Sequence, residues 1–143
     1  MNDRLIEFVI PGAAAPQGSK RLVRLKNGRT VMLDACQRLK SWRAAVAYEA
    51  GRVWVGPPAA VACAISVEFV FERPKSHWRK AGTLTNKAPL HPGKPDIDKL
   101  CRALLDGLTG VVMVDDSQVV WLNAHKRFGS QSETFVTISY AAR

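Results

Sequence analysis

Five carboxylates of this chain fall within one 21-residue window: Asp96, Asp98, Asp106, Asp115 and Asp116. Clustered carboxylates repel one another unless a positive charge lies among them. Oxygen ligands in this number, with no Cys or His among them, favour a hard divalent cation such as Mg²⁺ or Mn²⁺ over zinc. Such a cation activates a water and stabilises the charge that develops on a phosphodiester during in-line attack. The window therefore suggests metal-dependent phosphodiester hydrolysis.

Each acid also has a structural interpretation. Asp96 precedes an apolar helical stripe and is typical of a helix cap, because the first turn of a helix favours negative charge. Asp106 on its own is typical of a solvated helix residue, and Asp115-Asp116 is typical of a plain turn. The spacing alone leaves the metal site and these structural roles open.

A helix must position the first acids. Apolar residues at helical spacing predict a helix that follows Asp96 and ends near Gly107 and Gly110. The centre of its buried stripe is predicted to be Ile97, Cys101, Leu104 and Leu108. Asp98 and Arg102 then lie one turn apart on the same edge of the helix.

Two strand-like runs, Val111–Val114 and Val119–Leu122, flank the pair Asp115-Asp116. If the second run passes beside the start of the helix, this acid pair meets Asp96 and Asp98.

The rest of the chain supplies the other layers of one small domain. We predict an opening strand at 6–10, a helix at 34–52 capped by Asp34, a long strand at 60–72 and a closing strand at 135–140. This order predicts an α+β fold of α/β-like character, in a single domain over residues 1–143. Its mixed sheet has about four strands and carries two main helices.

The net charge of +9 indicates an anionic partner, most simply nucleic acid. Residues 1–95 hold 16 Lys and Arg against 6 Asp and Glu, whereas residues 96–143 hold 5 against 6. Two basic stretches, 13–30 and 73–95, are predicted to be loops. The first is either a mobile segment or a short hairpin around Asn27-Gly28, and the second lacks apolar periodicity. Trp78 in the second loop is suited either to stacking on an unpaired base or to anchoring the loop on the core. The candidate phosphate contacts are Lys20, Arg21, Lys75, Arg79, Lys80, Lys94 and Lys126.

Several classes of function are disfavoured. The chain has no glycine-rich phosphate loop, so we expect no nucleotide cofactor. Cys36, Cys63 and Cys101 are widely spaced and fit buried thiols in a reducing compartment better than a zinc or redox site. No apolar run approaches the roughly 20 residues that a membrane span requires. We therefore expect a cytoplasmic protein without membrane contact.

Three segments of the chain resemble the RusA family of Holliday-junction resolvases. They are Lys94–Leu100 (KPDIDKL), Leu105–Val112 (LDGLTGVV) and Asp115–Val120 (DDSQVV). The family is marked by P-D-x-D-N-L, D-A/G-L and D-D-x-Q-V segments in this order. The close match covers about 27 residues, and the upstream chain fits more loosely.

The resemblance implies a bacterial or phage-encoded, homodimeric, Mg²⁺-dependent endodeoxyribonuclease. Such an enzyme resolves four-way DNA junctions by paired symmetric nicks in recombination and repair. Carried over by residue, Asp96, Asp98 and Asp116 are the expected catalytic carboxylates, and Asp115 is an expected neighbour in the metal site.

The chain departs from the family pattern at two positions. Lys99 stands where the family has Asn. Arg102 stands where the family has a lysine that is thought to help catalysis. An arginine keeps the positive charge and can hold a phosphate through two hydrogen bonds, but it is a poor proton donor. We therefore expect Arg102 to stabilise charge rather than to transfer a proton.

A second hypothesis has no catalysis in it. In this alternative the chain is a basic DNA- or RNA-binding module, and its aspartates only cap helices, form turns and balance charge.

Overall fold

A four-stranded mixed sheet lies at the centre of the structure, a computed structural model that describes residues 4–18, 21–33 and 37–142. In chain order the elements are β1 (Arg4–Pro11), β2 (Arg21–Arg24), β3 (Thr30–Leu33), α1 (Gln37–Val53), β4 (Cys63–Glu72), α2 (Ile97–Leu108), β5 (Val119–Gly129) and β6 (Glu133–Tyr140). The central sheet has the order β1-β6-β4-β5, with β6 antiparallel to both neighbours and β5 parallel to β4. The predicted α+β class, with four sheet strands and two helices, is confirmed.

One face of the sheet carries the core, because successive side chains of each strand point to opposite faces of the sheet. In β1, Ile6, Phe8 and Ile10 are buried, whereas the intervening Glu7 and Val9 are exposed. Side chains of neighbouring strands point to the same face at paired positions, so the buried residues of β4 and β6 extend this layer. Both helices cover it, whereas on the opposite face side chains such as Val9 and Phe135 are exposed.

The two helices meet closely at Gly107 of α2. A Cβ atom placed on Gly107 would lie 2.8 Å from Cγ1 of Val46 in α1, so only glycine permits this approach. An ion pair between Arg43 and Asp106, 3.7 Å apart, joins the same two helices. The apolar residues that recur at helical spacing in α1, namely Leu39, Trp42, Val46 and Ala50, are all buried in the core.

The predicted strand at Val111–Val114 is not a strand. Gly110 takes a φ of 84°, and its N–H donates to the carbonyl of Met113 at 2.7 Å, so the chain reverses within one tight turn. That turn leaves no extended run to pair. Strand β5 instead continues to Gly129, well past the predicted end at Leu122, because it pairs with β4 along its length.

Three of the residues predicted to be buried in α2, Cys101, Leu104 and Leu108, are buried, but the centre of the buried face is rotated away from Ile97. Ile97 is 36% exposed, whereas Leu100, Ala103 and Gly107 are buried, since these residues face α1 and the sheet. Trp121 is 66% exposed and is therefore not part of the core of this chain.

Several predictions concern other parts of the chain. The hairpin at Asn27-Gly28 is confirmed, as β2 and β3 pair antiparallel around it. Lys20, Cys36 and the expected cap Asp34 lie outside the described residues. Within those residues, no helix has the length and apolar character that crossing a membrane requires.

Candidate active site

Asp96 lies at the first position before α2, but its side chain does not cap the helix. Its Oδ1 accepts a hydrogen bond from Nζ of Lys94 at 3.1 Å, and its Oδ2 lies 3.7 Å from Nζ of Lys99. The hydrogen bond and charge of Lys94, followed by the charge of Lys99, lower the pKa of the Asp96 carboxyl. The capping interpretation therefore does not explain this residue, which presents an ionised carboxylate at the surface.

Asp98 stands in the first turn of α2, exposed, with Arg102 exposed one turn later. Burial, and then the negative charge of Asp98, raise the pKa of the neighbouring Cys101 thiol. The thiol stays protonated at neutral pH, so the cysteine nearest to these acids does not add a thiolate to them.

Gln118 holds the turn that carries the second acid pair. Its Oε1 accepts hydrogen bonds from the backbone N–H groups of Val114 and Asp115, each at 2.9 Å. Its Nε2 donates to the carbonyls of Ala59 and Val61, each at 2.8 Å. The amide thus makes four hydrogen bonds and attaches the turn to the segment that leads into β4.

The two acids of this pair have different surroundings. Oδ2 of Asp115 accepts from the backbone N–H of Ser117 at 3.1 Å and caps the short 3₁₀ turn Asp116–Gln118. Hydrogen bonding by the Ser117 side chain, and then by its backbone N–H, lowers the pKa of the Asp115 carboxyl. Asp116 instead lines a cleft. The turn interpretation therefore explains Asp115, whereas Asp116 faces a space where a ligand fits.

Two neighbouring clefts contain three of the aspartates, Asp96, Asp106 and Asp116, whereas Asp98 and Asp115 line neither cleft. The first has a volume of 390 Å³ and is lined by Gln17, Arg102, Leu105, Asp106 and Asp116. The second, of 260 Å³, is lined by Pro16, Lys94, Pro95, Asp96 and Lys99. The consecutive residues Pro16 and Gln17 connect them, and the backbone N–H of Gln17 donates to the carbonyl of Lys99 at 3.0 Å. The segment 16–17 therefore lies between the acid at the start of α2 and the acid before β5.

The side chains of the two clefts that could bind a metal ion, those of Asp96, Asp106, Asp116 and Gln17, offer oxygen atoms as ligands. Oε1 of Gln17 is buried and has no hydrogen-bond partner among the described residues, which is unusual for a buried amide oxygen. An oxygen ligand set of Asp, Asp and Gln suits a hard cation such as Mg²⁺ and does not suit zinc. Across 4–18, 21–33 and 37–142, however, no three His, Cys, Asp or Glu side chains are grouped closely enough to hold a metal ion. The meeting of Asp96, Asp98 and Asp116 at one ion stays a prediction.

The candidate phosphate contacts fall into two groups. Lys75 and Lys80 are exposed, and their side chains have no hydrogen bond or ion pair within the described part of the chain. Arg79 donates to Oδ1 of Asn86 at 2.8 Å, Lys94 is paired with Asp96, and Lys126 donates to backbone carbonyls. Arg21 lies in β2. Trp78 is 46% exposed, and its backbone pairs with that of Leu84 in an isolated antiparallel β-bridge.

The comparison with known families decides the identity. The family model described as endodeoxyribonuclease RusA matches residues 11–139 of the 143. The chain belongs to the RusA family. It is accordingly an endodeoxyribonuclease of the Holliday-junction resolvase type, and the resemblance of its three acidic segments is confirmed. No curated protein matches the chain.

The RusA match spans every candidate residue, including three that sequence reasoning did not assign to the site. Asp106 belongs to the D-G-L segment and Gln118 to the D-D-x-Q-V segment, so the motifs themselves contained a signal for both. Gln17 lies in the basic stretch 13–30, where its sequence context gives no signal. The signal is structural, since its amide oxygen is buried without a hydrogen-bond partner among the described residues. Asp106 both lines the first cleft and pairs with Arg43, so it is not simply a solvated helix residue.

Proposed function

We propose that this RusA protein is a Mg²⁺-dependent, structure-selective endonuclease that resolves four-way DNA junctions by paired symmetric nicks. The observation that supports it most directly is the cleft in which Asp116, Arg102 and Asp106 lie together, beside the cleft that contains Asp96. In this proposal the protein acts in the bacterial cytoplasm and is encoded by the bacterium or by a phage.

In this proposal Asp96, Asp98 and Asp116 hold the metal, with Asp115 at its edge. The bound cation supplies an activated water and stabilises charge on the scissile phosphate. Lys94 and Lys99 keep Asp96 ionised. Arg102 binds a phosphate oxygen and keeps its own proton, so the proton of the leaving group is delivered by solvent rather than by this side chain.

The basic loops hold the arms of the junction. Backbone phosphates are bound by Lys75, Arg79 and Lys80 of one basic stretch and by Lys20 and Arg21 of the other. Such contacts position the DNA without reading its sequence. A four-way junction presents two equivalent strands about a two-fold axis. A homodimer with C2 symmetry and one site in each subunit therefore nicks both strands within one bound lifetime.

The test is cleavage of a synthetic four-way junction in Mg²⁺ by the wild type, D96N and D116N. A metal contributes several kcal/mol to the transition state, so each variant is expected to lose roughly 100-fold or more in rate. Both are expected to bind the junction as tightly as the wild type or more tightly, because a negative charge has been removed beside the DNA.

Glu7→Gln on the exposed side of β1 removes a carboxylate that lines neither cleft and is the matched control. It is expected to cut at the wild-type rate. A wild type that binds junctions but cuts none with Mg²⁺ or Mn²⁺ would contradict the proposal and support the binding-only alternative.

A further inference from the structure

Lys126 of β5 lies on the helix-covered face of the sheet, paired in register with the buried Phe69 of β4. Its side chain is half-buried, and its ammonium group donates hydrogen bonds to the carbonyls of Gly93 and Pro95, the latter at 2.9 Å. Two of its three N–H donors are thus directed at the chain itself. A lysine that binds phosphate instead leaves its ammonium in solvent, as Lys75 and Lys80 do.

The carbonyls that Lys126 binds belong to the segment that leads into Asp96. Pro95 directly precedes Asp96, and α2 begins one residue later. The upstream part of this segment is held separately: Arg73 donates to the carbonyls of Pro89 and Leu90 and stacks over Phe128. Lys126 therefore controls only the last few residues before the acid.

Strand β5 connects this contact with the other acid. The turn Asp116–Gln118 ends where β5 begins, at Val119, and Lys126 lies seven residues further along the same strand. Because a paired strand is stiff, its start and its Lys126 position keep a constant separation. Through Lys126, the segment before Asp96 is tied to the strand that directly follows the turn containing Asp116.

We propose that Lys126 is a positioning residue that holds Asp96 at the correct distance from Asp116 for metal binding, and is not a phosphate contact. This inference rests on the proposed function, since it assumes that the two acids share a cation. Residues that orient metal ligands commonly change metal affinity or activity by about 10–100-fold when they are replaced.

The test compares K126M, which keeps the apolar stem but removes the donors, with K126R, which keeps donors and charge. K40M, on the exposed side of α1, is the charge-matched control. Three quantities are measured: Mn²⁺ affinity of the DNA-free protein by electron paramagnetic resonance, single-turnover cleavage at saturating junction, and the salt dependence of junction binding without divalent ions.

We expect the Mn²⁺ affinity and the single-turnover cleavage rate of K126M each to be about 10–100-fold lower than those of the wild type. The salt dependence of its junction binding is expected to be unchanged. K126R is expected to recover most of the Mn²⁺ affinity and most of the cleavage rate. K40M is expected to match the wild type in all three measurements. If K126M melts below the assay temperature, K126Q replaces it, because its amide still donates one hydrogen bond and the same readouts apply.

The opposite pattern overturns the inference. If K126M loses about one unit of salt slope while its Mn²⁺ affinity and saturated rate stay at wild-type values, Lys126 is a phosphate contact. A wild type that neither binds Mn²⁺ nor cuts contradicts the proposed function itself, and with it this inference. The wild-type measurement thus separates the two failures.

Discussion

Two consecutive segments of equal length, 73–95 and 96–118, differ in charge and in how they are held. The first, called here the basic loop, has six Lys and Arg and no Asp or Glu; the second, the acidic segment, has two against five. In the basic loop only Pro92 is buried, whereas the acidic segment buries eight residues, most of them in α2. The basic loop is therefore held mainly by hydrogen bonds to its backbone, and the acidic segment mainly by packing.

The difference shows that positive charge does not identify a DNA contact by itself. Arg73 and Lys126 carry the same charge as Lys75 and Lys80, yet their donors hold the backbone of the basic loop. We therefore expect removal of Arg73 or Lys126 to change the shape of the site, and removal of Lys75 or Lys80 to change only the attraction for phosphate. Three predictions test this contrast, beginning with the largest expected effect.

Gln118→Ala tests whether the acidic segment depends on its internal hydrogen bonds. The change removes four hydrogen bonds and leaves two N–H groups and two carbonyls to find water, so we expect a loss of about 2–4 kcal/mol in the free energy of unfolding. Chemical denaturation measures it. The control is Q131A, because Gln131 is exposed and donates only to Glu133. Equal stability of the two variants would show that the turn is held by other contacts.

Gly107→Ala tests the close approach of α1 and α2. The added methyl group overlaps Val46, so we expect a loss of about 1–3 kcal/mol and a lower melting temperature. G51A in α1 is the matched change, because its Cβ meets only Val111 at 4.0 Å and alanine favours a helix. It is expected to leave stability unchanged or to raise it slightly. A neutral G107A would mean that the helices separate at little cost.

The double change of Lys75 and Lys80 to Gln tests the basic loop. Both side chains are exposed, so stability is expected to stay within about 0.5 kcal/mol of the wild type. Junction affinity falls roughly tenfold, and the slope of log affinity against log salt falls by about 1.8, for two lost phosphate contacts. Fluorescence anisotropy over a salt series measures both. The pair R38Q/K40Q removes the same charge from α1 and should change the slope far less; an equal effect would indicate that only net charge matters.

Much of the fold follows from local pattern. The stripe Leu39, Trp42, Val46 and Ala50 and the alternation in β1 predict their elements because periodicity within one element is a local property. The turn at 111–114 was wrongly predicted as a strand, since its two buried residues, Val112 and Met113, are buried by contacts with distant segments rather than by pairing in the sheet. Val112, for example, accepts from the Tyr140 hydroxyl at 3.0 Å.

The sequence by itself supplied the candidate residues for chemistry: the five aspartates, Arg102, the basic stretches and the family pattern that joins them. Only the tertiary structure separated Asp115 from Asp116, removed Asp96 from a capping role and brought Gln17 and Asp106 to the clefts. It also showed that Lys126 binds the chain itself. The physical reason is sequence separation: Gln118 contacts Ala59 across 59 residues and Lys126 contacts Gly93 across 33, and no local propensity encodes such contacts.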